Sequence, residues 1–113
     1  MHIKRMMQGD VMVLAMTGKF IGGIDHEQFT AEIKSLIADG HVDMIQDMEK
    51  VTFVDSTGLG SLVAGMSTLK KSAGRMAVCC VPDRVDIVLE MTKLKMVFDT
   101  YETSEQALAS FPA

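Results

Sequence analysis

The residues with the clearest potential for chemistry are the carboxyl and hydroxyl side chains of one short segment, residues 55–60 (DSTGLG). Phe53 and Val54 before it are typical of a buried strand end, and the residues after it have the periodicity of a helix. Asp55 suits the N-cap of that helix, because a carboxylate accepts hydrogen bonds from free backbone N–H groups. We therefore expect Ser56 on the surface beside a helix N-terminus, where partial positive charge favours a phosphate.

These residues do not form the arrangements that catalysis or a cofactor requires. Gly58 and Gly60 are not followed by a third glycine at the spacing of a dinucleotide site, and no lysine completes a phosphate-binding loop. Ser56 and Ser61 lack the glycines of a nucleophile elbow. The histidines have no cysteine or acidic neighbour at the spacing of metal ligands. We predict no catalytic residue, no metal site and no cofactor.

Length and composition indicate one domain without a nucleic-acid partner. The chain has 113 residues, 48% of them hydrophobic and only two of them proline, so we expect a single domain over residues 1–113 with a real core. The eleven methionines are expected to fill that core. The formal net charge of −4 disfavours nucleic-acid binding, which needs a basic face or tail.

Two further features favour a cytoplasmic protein that does not insert into a membrane. The longest apolar run, residues 11–16, is much shorter than the roughly 20 residues of a membrane helix, and no signal-peptide pattern opens the chain. Cys79 and Cys80 are adjacent, a spacing that strains a disulfide. We predict that both are reduced and point to opposite faces of a strand as small core residues, and not that they act in redox chemistry.

Strands and helices are expected to alternate along most of the chain. The expected strands cover residues 2–8, 10–17, 42–48, 75–81 and 96–101. The expected helices cover residues 25–39, about 57–72 and 83–91, with a last helix opened by residues 103–106. The first two strands form an antiparallel pair, and the later strands are parallel. The sequence thus predicts an α/β fold with a central mixed sheet of four to five strands and about four helices.

Several residues within these elements carry separate expectations. Asp25, with Gln28 three residues later, resembles a capping box at the start of the first helix. Gln46 interrupts an apolar run in the third strand. Gly74 is the expected C-cap of the second helix, which ends in the cations Lys70 and Lys71.

The second helix has a stripe of small residues beside its apolar stripe. A surface of this kind lets another backbone approach closely. Two interpretations stay open here: the stripe receives a partner protein, or it packs against the protein's own domain. The small residues are Gly58, Ser61, Gly65, Thr68 and Ser72.

Residues 51–60, with the sequence VTFVDSTGLG, resemble the signature of STAS domains, the fold of bacterial anti-sigma factor antagonists. The resemblance extends over nearly the whole chain and includes the later segment Met91–Leu94. It implies the same α/β architecture. In that family, a partner kinase phosphorylates the serine or threonine directly after the motif aspartate. That position is Ser56 here, with Thr57 as the second choice.

The resemblance also implies partners and a binding surface. The unmodified protein is expected to bind an anti-sigma factor with serine kinase activity, and phosphorylation is expected to release it. A PP2C-type phosphatase would reset the switch. Many family members have Gly-Glu-Leu-Asp where this chain has residues 18–23 (GKFIGG), so the acidic residue usually found beside the phosphoacceptor is either missing or replaced by Asp25 further on. The residues expected to contact the partner are Asp25, Asp55, Ser56, Thr57, Gly58, Leu59, Gly60, Ser61 and Gly65.

Two other functions remain open at this point. A STAS domain that is never phosphorylated can act as a fixed subunit of a larger assembly, such as a membrane transport ATPase complex. An intact Asp55-Ser56 pair argues mildly against that function. A sensor of small molecules would need a sizeable apolar pocket within the methionine-rich interior.

Overall fold

Five strands form one sheet, and their order in the sheet is their order along the chain. The computed structural model describes residues 1–112. The first two strands are antiparallel, and each later strand is parallel to the one before it. This confirms the expected mixed sheet. The strands are β1 (His2–Gln8), β2 (Val11–Phe20), β3 (Asp43–Val54), β4 (Arg75–Cys79) and β5 (Asp99–Tyr101).

Four helices cover the two faces of the sheet unequally within the described residues. The larger core lies between one face and the first three helices, and the smaller core lies beneath the last helix alone. None of the helices within residues 1–112 combines the length and the apolar character that crossing a bilayer requires. The helices are α1 (Ile24–Ala38), α2 (Ser56–Lys71), α3 (Asp83–Met91) and α4 (Ser104–Ala109).

β2 supplies both cores because successive side chains of a strand point to opposite faces. Leu14 and Met16 enter the larger core, while Val11 and Val13 enter the smaller one. The near-continuous apolar run of this strand therefore reflects burial on both sides. Its place between β1 and β3 confirms that it is an interior strand.

The two central strands are longer than the sequence analysis predicted. β2 was expected to end at residue 17 and β3 at residue 48, but the two continue together to Phe20 and Val54, which pair with each other. The pairing continues past two register shifts, one between Ala15 and Thr17 and one between Gly18 and Lys19. β4 and β5 are shorter than expected, since they pair only over residues 77–79 and 99–101. The residues directly before Ser56 are thus part of β3 and are held in place by pairing with β2.

Helix ends also differ from the expectation at two places. The N-cap of α1 is Gly23, which has no side chain to cap with, and Asp25 accepts hydrogen bonds from other parts of the chain. At the end of α2, Ala73 and not Gly74 adopts a positive φ, of 61°. Gly74 is needed for a different reason, because a Cβ there would lie 2.0 Å from the Val42 carbonyl oxygen.

Gln46 is buried at the centre of the sheet. It pairs with Leu14 on one side and with Val78 on the other, and none of its surface is exposed. Neither its amide nitrogen nor its amide oxygen has a hydrogen-bond partner among the described residues. The residue that interrupts the apolar run therefore stays inside the core with its polar atoms unpaired.

Candidate functional site

Asp55 is the N-cap of α2 and joins two parts of the chain. Its Oδ1 accepts a hydrogen bond from the backbone N–H of Gly58 at 2.7 Å, as expected of a capping carboxylate. Its Oδ2 accepts a second bond from the N–H of Gly22, at 3.4 Å, in the loop between β2 and α1. The start of α2 and the loop of residues 21–23 are consequently held against each other.

Ser56 is the first residue of α2, and its side chain is exposed. No hydrogen bond joins its hydroxyl to a protein atom within residues 1–112, so the oxygen is available to another molecule. The first turn of α2 contains no acidic residue. The partial positive charge of the helix N-terminus is thus uncompensated there except by the Asp55 cap.

Thr57 is also exposed, but it packs against the neighbouring loop. A Cβ placed at Gly22 would lie only 2.9 Å from the Thr57 Cγ2, so the loop passes directly over this side chain. Of the two adjacent hydroxyl residues, Ser56 is therefore the freer one.

The small residues of α2 pack against the protein's own domain. A Cβ at Gly58 would lie 2.2 Å from the Phe20 carbonyl oxygen, and one at Gly65 would lie 2.9 Å from the Phe29 ring. The helix can approach the β2 end and α1 only because these side chains are missing. Of the two interpretations of the small-residue stripe, packing within the domain is correct at both glycines.

Ser61 connects α2 to α1 beneath the surface. Its hydroxyl donates a hydrogen bond to the Thr57 carbonyl oxygen at 3.0 Å and lies 2.5 Å from the His26 Nδ1. His26 is exposed, and its contact with Ser61 helps to hold the two helices together.

Asp25 is only 9% exposed and is engaged within the chain. Its carboxylate accepts bonds from the Ile21 N–H at 3.0 Å and from the Met1 ammonium group at 3.2 Å. The predicted partner-contacting set is therefore split between surface and interior. Ser56, Thr57 and Gly60 are exposed, Asp55 is half-buried, and the buried members are Asp25, Gly58, Leu59, Ser61 and Gly65.

The sequence analysis missed an open surface next to this site. Phe53, expected to be buried, is 48% exposed. Val54 faces the larger core, so strand alternation turns Phe53 to the other side, and the smaller core contains no residue of β3 beyond Ile45. That alternation was the signal that could have revealed it. We call the shallow depression of about 450 Å³ around it the Phe53 surface, formed by Lys19, Ile21, Thr52, Phe53 and Arg84.

The predicted directions of the two cysteine side chains were wrong, although Cys79 is a core residue as expected. Their Sγ atoms lie 3.3 Å apart instead of on opposite faces, because β4 ends at Cys79 and Cys80 turns with a φ of 61°. Burial raises the pKa of the Cys79 thiol, and it also raises the pKa of the Cys80 thiol. Both are free thiols.

The chain is thus an α/β domain that exposes the hydroxyl group of Ser56 at the start of α2. The family model described as STAS domain matches residues 3–107, and the chain therefore belongs to the STAS domain family. This confirms the resemblance carried by residues 51–60.

The chain is similar to named anti-sigma factor antagonists. It is 33% identical to the anti-sigma-B factor antagonist of Staphylococcus aureus over 59% of its own length and 62% of the relative's length. The matched part thus spans less than two thirds of that relative.

Solved structures show the same fold. An anti-sigma factor antagonist from Mycobacterium paratuberculosis superposes with a TM-score of 0.81 at 23% identity, over 96% of this chain and 92% of that one. The Bacillus cell fate determinant SpoIIAA in its phosphorylated form superposes with a TM-score of 0.71 at 24% identity, over 96% and 97% of the two chains.

Proposed function

We propose that this protein is an anti-sigma factor antagonist controlled by phosphorylation of Ser56. The unmodified form binds an anti-sigma factor that has serine kinase activity, and the phosphorylated form releases it. A PP2C-type phosphatase restores the unmodified form. The protein acts by binding and not by catalysis, and its place of action is the cytoplasm, where ATP and reduced thiols are both present. The observation that carries the proposal is the exposed, unbonded Ser56 hydroxyl at the start of α2.

The similar proteins support the same assignment. The Staphylococcus aureus relative is named as an anti-sigma-B factor antagonist, and SpoIIAA has been solved in a phosphorylated form. In this chain the serine follows the capping aspartate directly. The capping aspartate and the serine after it are thus the residues that a kinase and a binding partner would both use.

Phosphorylation of Ser56 adds a charge of about −1.5 to −2 next to the carboxylate of Asp55. Two unit charges about 6 Å apart repel by about 3 kcal/mol at an effective dielectric constant of about 20. The helix N-terminus returns about 0.3–2 kcal/mol. The local balance is therefore too small to unfold the domain.

The phosphate charge has a larger effect on the binding of a partner than on the stability of the domain. A protein surface docked over Ser56 must either desolvate the phosphate or move away from it. A loss of about 3 kcal/mol weakens binding roughly a hundredfold. This suffices for release without rearrangement of the domain.

We expect the partner to rest on the exposed residues of the site and on the neighbouring Phe53 surface. The loop of residues 21–23 is shared by the two regions, because Gly22 bonds to Asp55 and Ile21 lines the depression. Aromatic and aliphatic side chains that stay exposed next to a polar site are typical of a binding surface. Lys19 and Arg84 at its edges favour a partner with acidic side chains there.

The proposal is tested by mass spectrometry of the protein from its native cells and by capture of its partners. A mass increase of about 80 Da on Ser56 is expected in part of the population. The Ser56→Ala variant should capture the anti-sigma factor and take up no phosphate, whereas Ser56→Asp should capture at least roughly tenfold less. Ser67→Asp, which adds the same charge on the exposed side of α2 outside the site, is the matched control and should behave as the wild type in both assays.

The same experiment separates the alternative function. A fixed STAS subunit of a transport assembly predicts no modification of Ser56 and capture of membrane-complex components by all variants. Equal binding of the anti-sigma factor by the wild type and Ser56→Asp would contradict the switch.

A further inference from the structure

A second group of chemically active side chains lies at the end of β4. Cys79 and Cys80 bring their Sγ atoms to 3.3 Å, and the carboxylate of Asp47 joins them so that the three ligand atoms all lie within 4.8 Å of one another. Cys79 is buried, whereas Cys80 and Asp47 are half-buried. The cluster is therefore closed on one side and reachable from the other.

The fold, and not sequence adjacency alone, produces this convergence. Neighbouring residues in a strand point to opposite faces. Cys80 escapes that rule because its backbone takes a φ of 61° directly after β4, while its N–H donates a hydrogen bond to the Tyr101 carbonyl oxygen at 3.2 Å. Asp47 is held opposite Cys79 by the register of β3 and β4. The three groups thus belong to a fixed arrangement.

We propose that Cys79 and Cys80 chelate a soft trivalent thiophile of the arsenic(III) type through two arsenic–sulfur bonds, with the Asp47 carboxylate next to the bound group and not bonded to it. The site is independent of the function proposed for Ser56, because it lies at a different place on the sheet and uses none of the same residues.

The span of the two sulfurs argues for a pyramidal centre. A tetrahedral zinc ion with zinc–sulfur bonds of about 2.3 Å holds two sulfurs about 3.8 Å apart. The 3.3 Å between Cys79 and Cys80 corresponds, at bonds of about the same length, to an angle of about 90°. Trivalent arsenic has that geometry, because its lone pair confines its three bonds to a pyramid.

The ligand set supports the same class of ligand. Two cysteine sulfurs are soft ligands, and among the described residues one carboxylate oxygen joins them within 4.8 Å, so the group is one short of the four ligands of a structural zinc site. An arsenic(III) oxide or hydroxide brings its own base, since its oxygen atoms accept the thiol protons and leave as water.

The reaction balances without an oxidant or a reductant. With phenylarsine oxide, two S–H bonds and the arsenic–oxygen bonds break, two arsenic–sulfur bonds form, and one water molecule leaves. Arsenic remains trivalent. A disulfide between the same residues is disfavoured. The Cα atoms of adjacent residues lie about 3.8 Å apart, whereas the Cα atoms of disulfide-bonded cysteines usually lie roughly 4.4–6.8 Å apart.

The test uses phenylarsine oxide and the full-length protein, with reduced glutathione as a competing monothiol. Intact-mass spectrometry should show one phenylarsenic group per wild-type molecule, with the mass loss of one water molecule, and the adduct should survive excess glutathione. Cys80→Ser, whose fold is checked by circular dichroism, should lose the adduct to glutathione because one sulfur cannot chelate. An adduct of the same resistance in Cys80→Ser would overturn the proposal.

Two further comparisons test whether the fold builds the site. Asp47→Asn should lower the resistance to glutathione about tenfold, while Asp43→Asn, the same change four residues earlier on β3, should leave it unchanged. The urea-unfolded wild type keeps both thiols but not their arrangement, and it should release the group at about tenfold lower glutathione. Equal resistance in the folded and unfolded chains would show a plain vicinal dithiol and refute a built site.

Discussion

Gly58 and Gly60 lie on the same turn of α2 but in opposite surroundings. A Cβ at Gly58 would meet the Phe20 carbonyl oxygen at 2.2 Å, whereas one at Gly60 would meet nothing within 4 Å. Gly58→Ala should therefore push α2 off the end of β2 and cost several kcal/mol, about 3 or more. Gly60→Ala should stabilise the helix by up to about 1 kcal/mol.

Urea unfolding of both alanine variants checks this pair. If Gly58→Ala were as stable as Gly60→Ala, the close contact between α2 and β2 would be absent, and the placement of Ser56 would lose its support.

Phe53 is the residue whose exposure has the most direct consequence for binding. Phe53→Ser should weaken capture of the anti-sigma factor about tenfold or more, because an aromatic anchor is removed from the interface. Met7, similarly exposed on β1, provides the matched control, and Met7→Ser should leave capture unchanged. The measurement is titration of the purified partner. Equal losses in the two variants would place the interface elsewhere.

Cys79 makes stability depend on pH in the alkaline range. Burial raises its pKa in the folded state above the ordinary value of 9.0, so the folded protein keeps a proton that the unfolded chain loses. The stabilisation is complete below about pH 9 and declines as the pH rises, by about 1.4 kcal/mol per pH unit for one proton. Urea unfolding at pH 8 and 10 should show this decline in the wild type and a smaller one in Cys79→Ala.

At the scale of elements, β3 contains an unusual central residue. Gln46 buries its amide group without a hydrogen-bond partner among the described residues, at a cost of about 1–3 kcal/mol. Gln46→Met keeps nearly the same shape and should raise the free energy of unfolding by about that amount. Gln8→Met on β1, where the side chain is exposed, should change it by less than about 0.5 kcal/mol. Destabilisation by Gln46→Met would indicate that the amide is bonded in solution.

The elements show which parts of the fold a local pattern can predict. The helices were predictable because apolar spacing and caps are local, and residues 103–106 were correctly expected to open α4, where Thr103 and Gln106 form a capping box. The ends of β2 and β3 could not be predicted in this way, because Phe20 and Val54 belong to the sheet through pairing with each other. The sequence of either segment alone does not indicate a pairing between residues so far apart in the chain.

The candidate site was also predictable only where it depends on residues that are neighbours in the sequence. Asp55 and Ser56 were found because a cap and the residue after it are sequence neighbours. The exposure of Phe53 and the convergence of Cys79 with Cys80 depended on where adjacent strands end, which the sequence analysis placed incorrectly. A strand boundary that is wrong by two residues was enough to reverse the expected direction of a side chain.

At the scale of the whole molecule, the switch should operate without a change of fold. Ser56→Asp places a charge at the exposed start of α2, where the helix N-terminus offsets part of the repulsion from Asp55. Its free energy of unfolding should fall by no more than about 1–3 kcal/mol, which is the repulsion less the part offset by the helix N-terminus. Urea unfolding together with amide hydrogen exchange checks this, with Ser67→Asp on the exposed side of α2 as the control. Loss of protection throughout the sheet would point to release by unfolding.

The two carboxylate oxygens of Asp55 accept hydrogen bonds from different parts of the chain, one from the helix that Asp55 caps and the other from the loop of residues 21–23. Because this loop is attached at Gly22, while Ile21 within it and Ile24 at the start of α1 are exposed, these two residues are free to vary while the attachment is kept. Partner choice and on–off control are therefore separable properties. Grafting another family member's residues at 21 and 24 should redirect the protein to a new target that the same serine still governs.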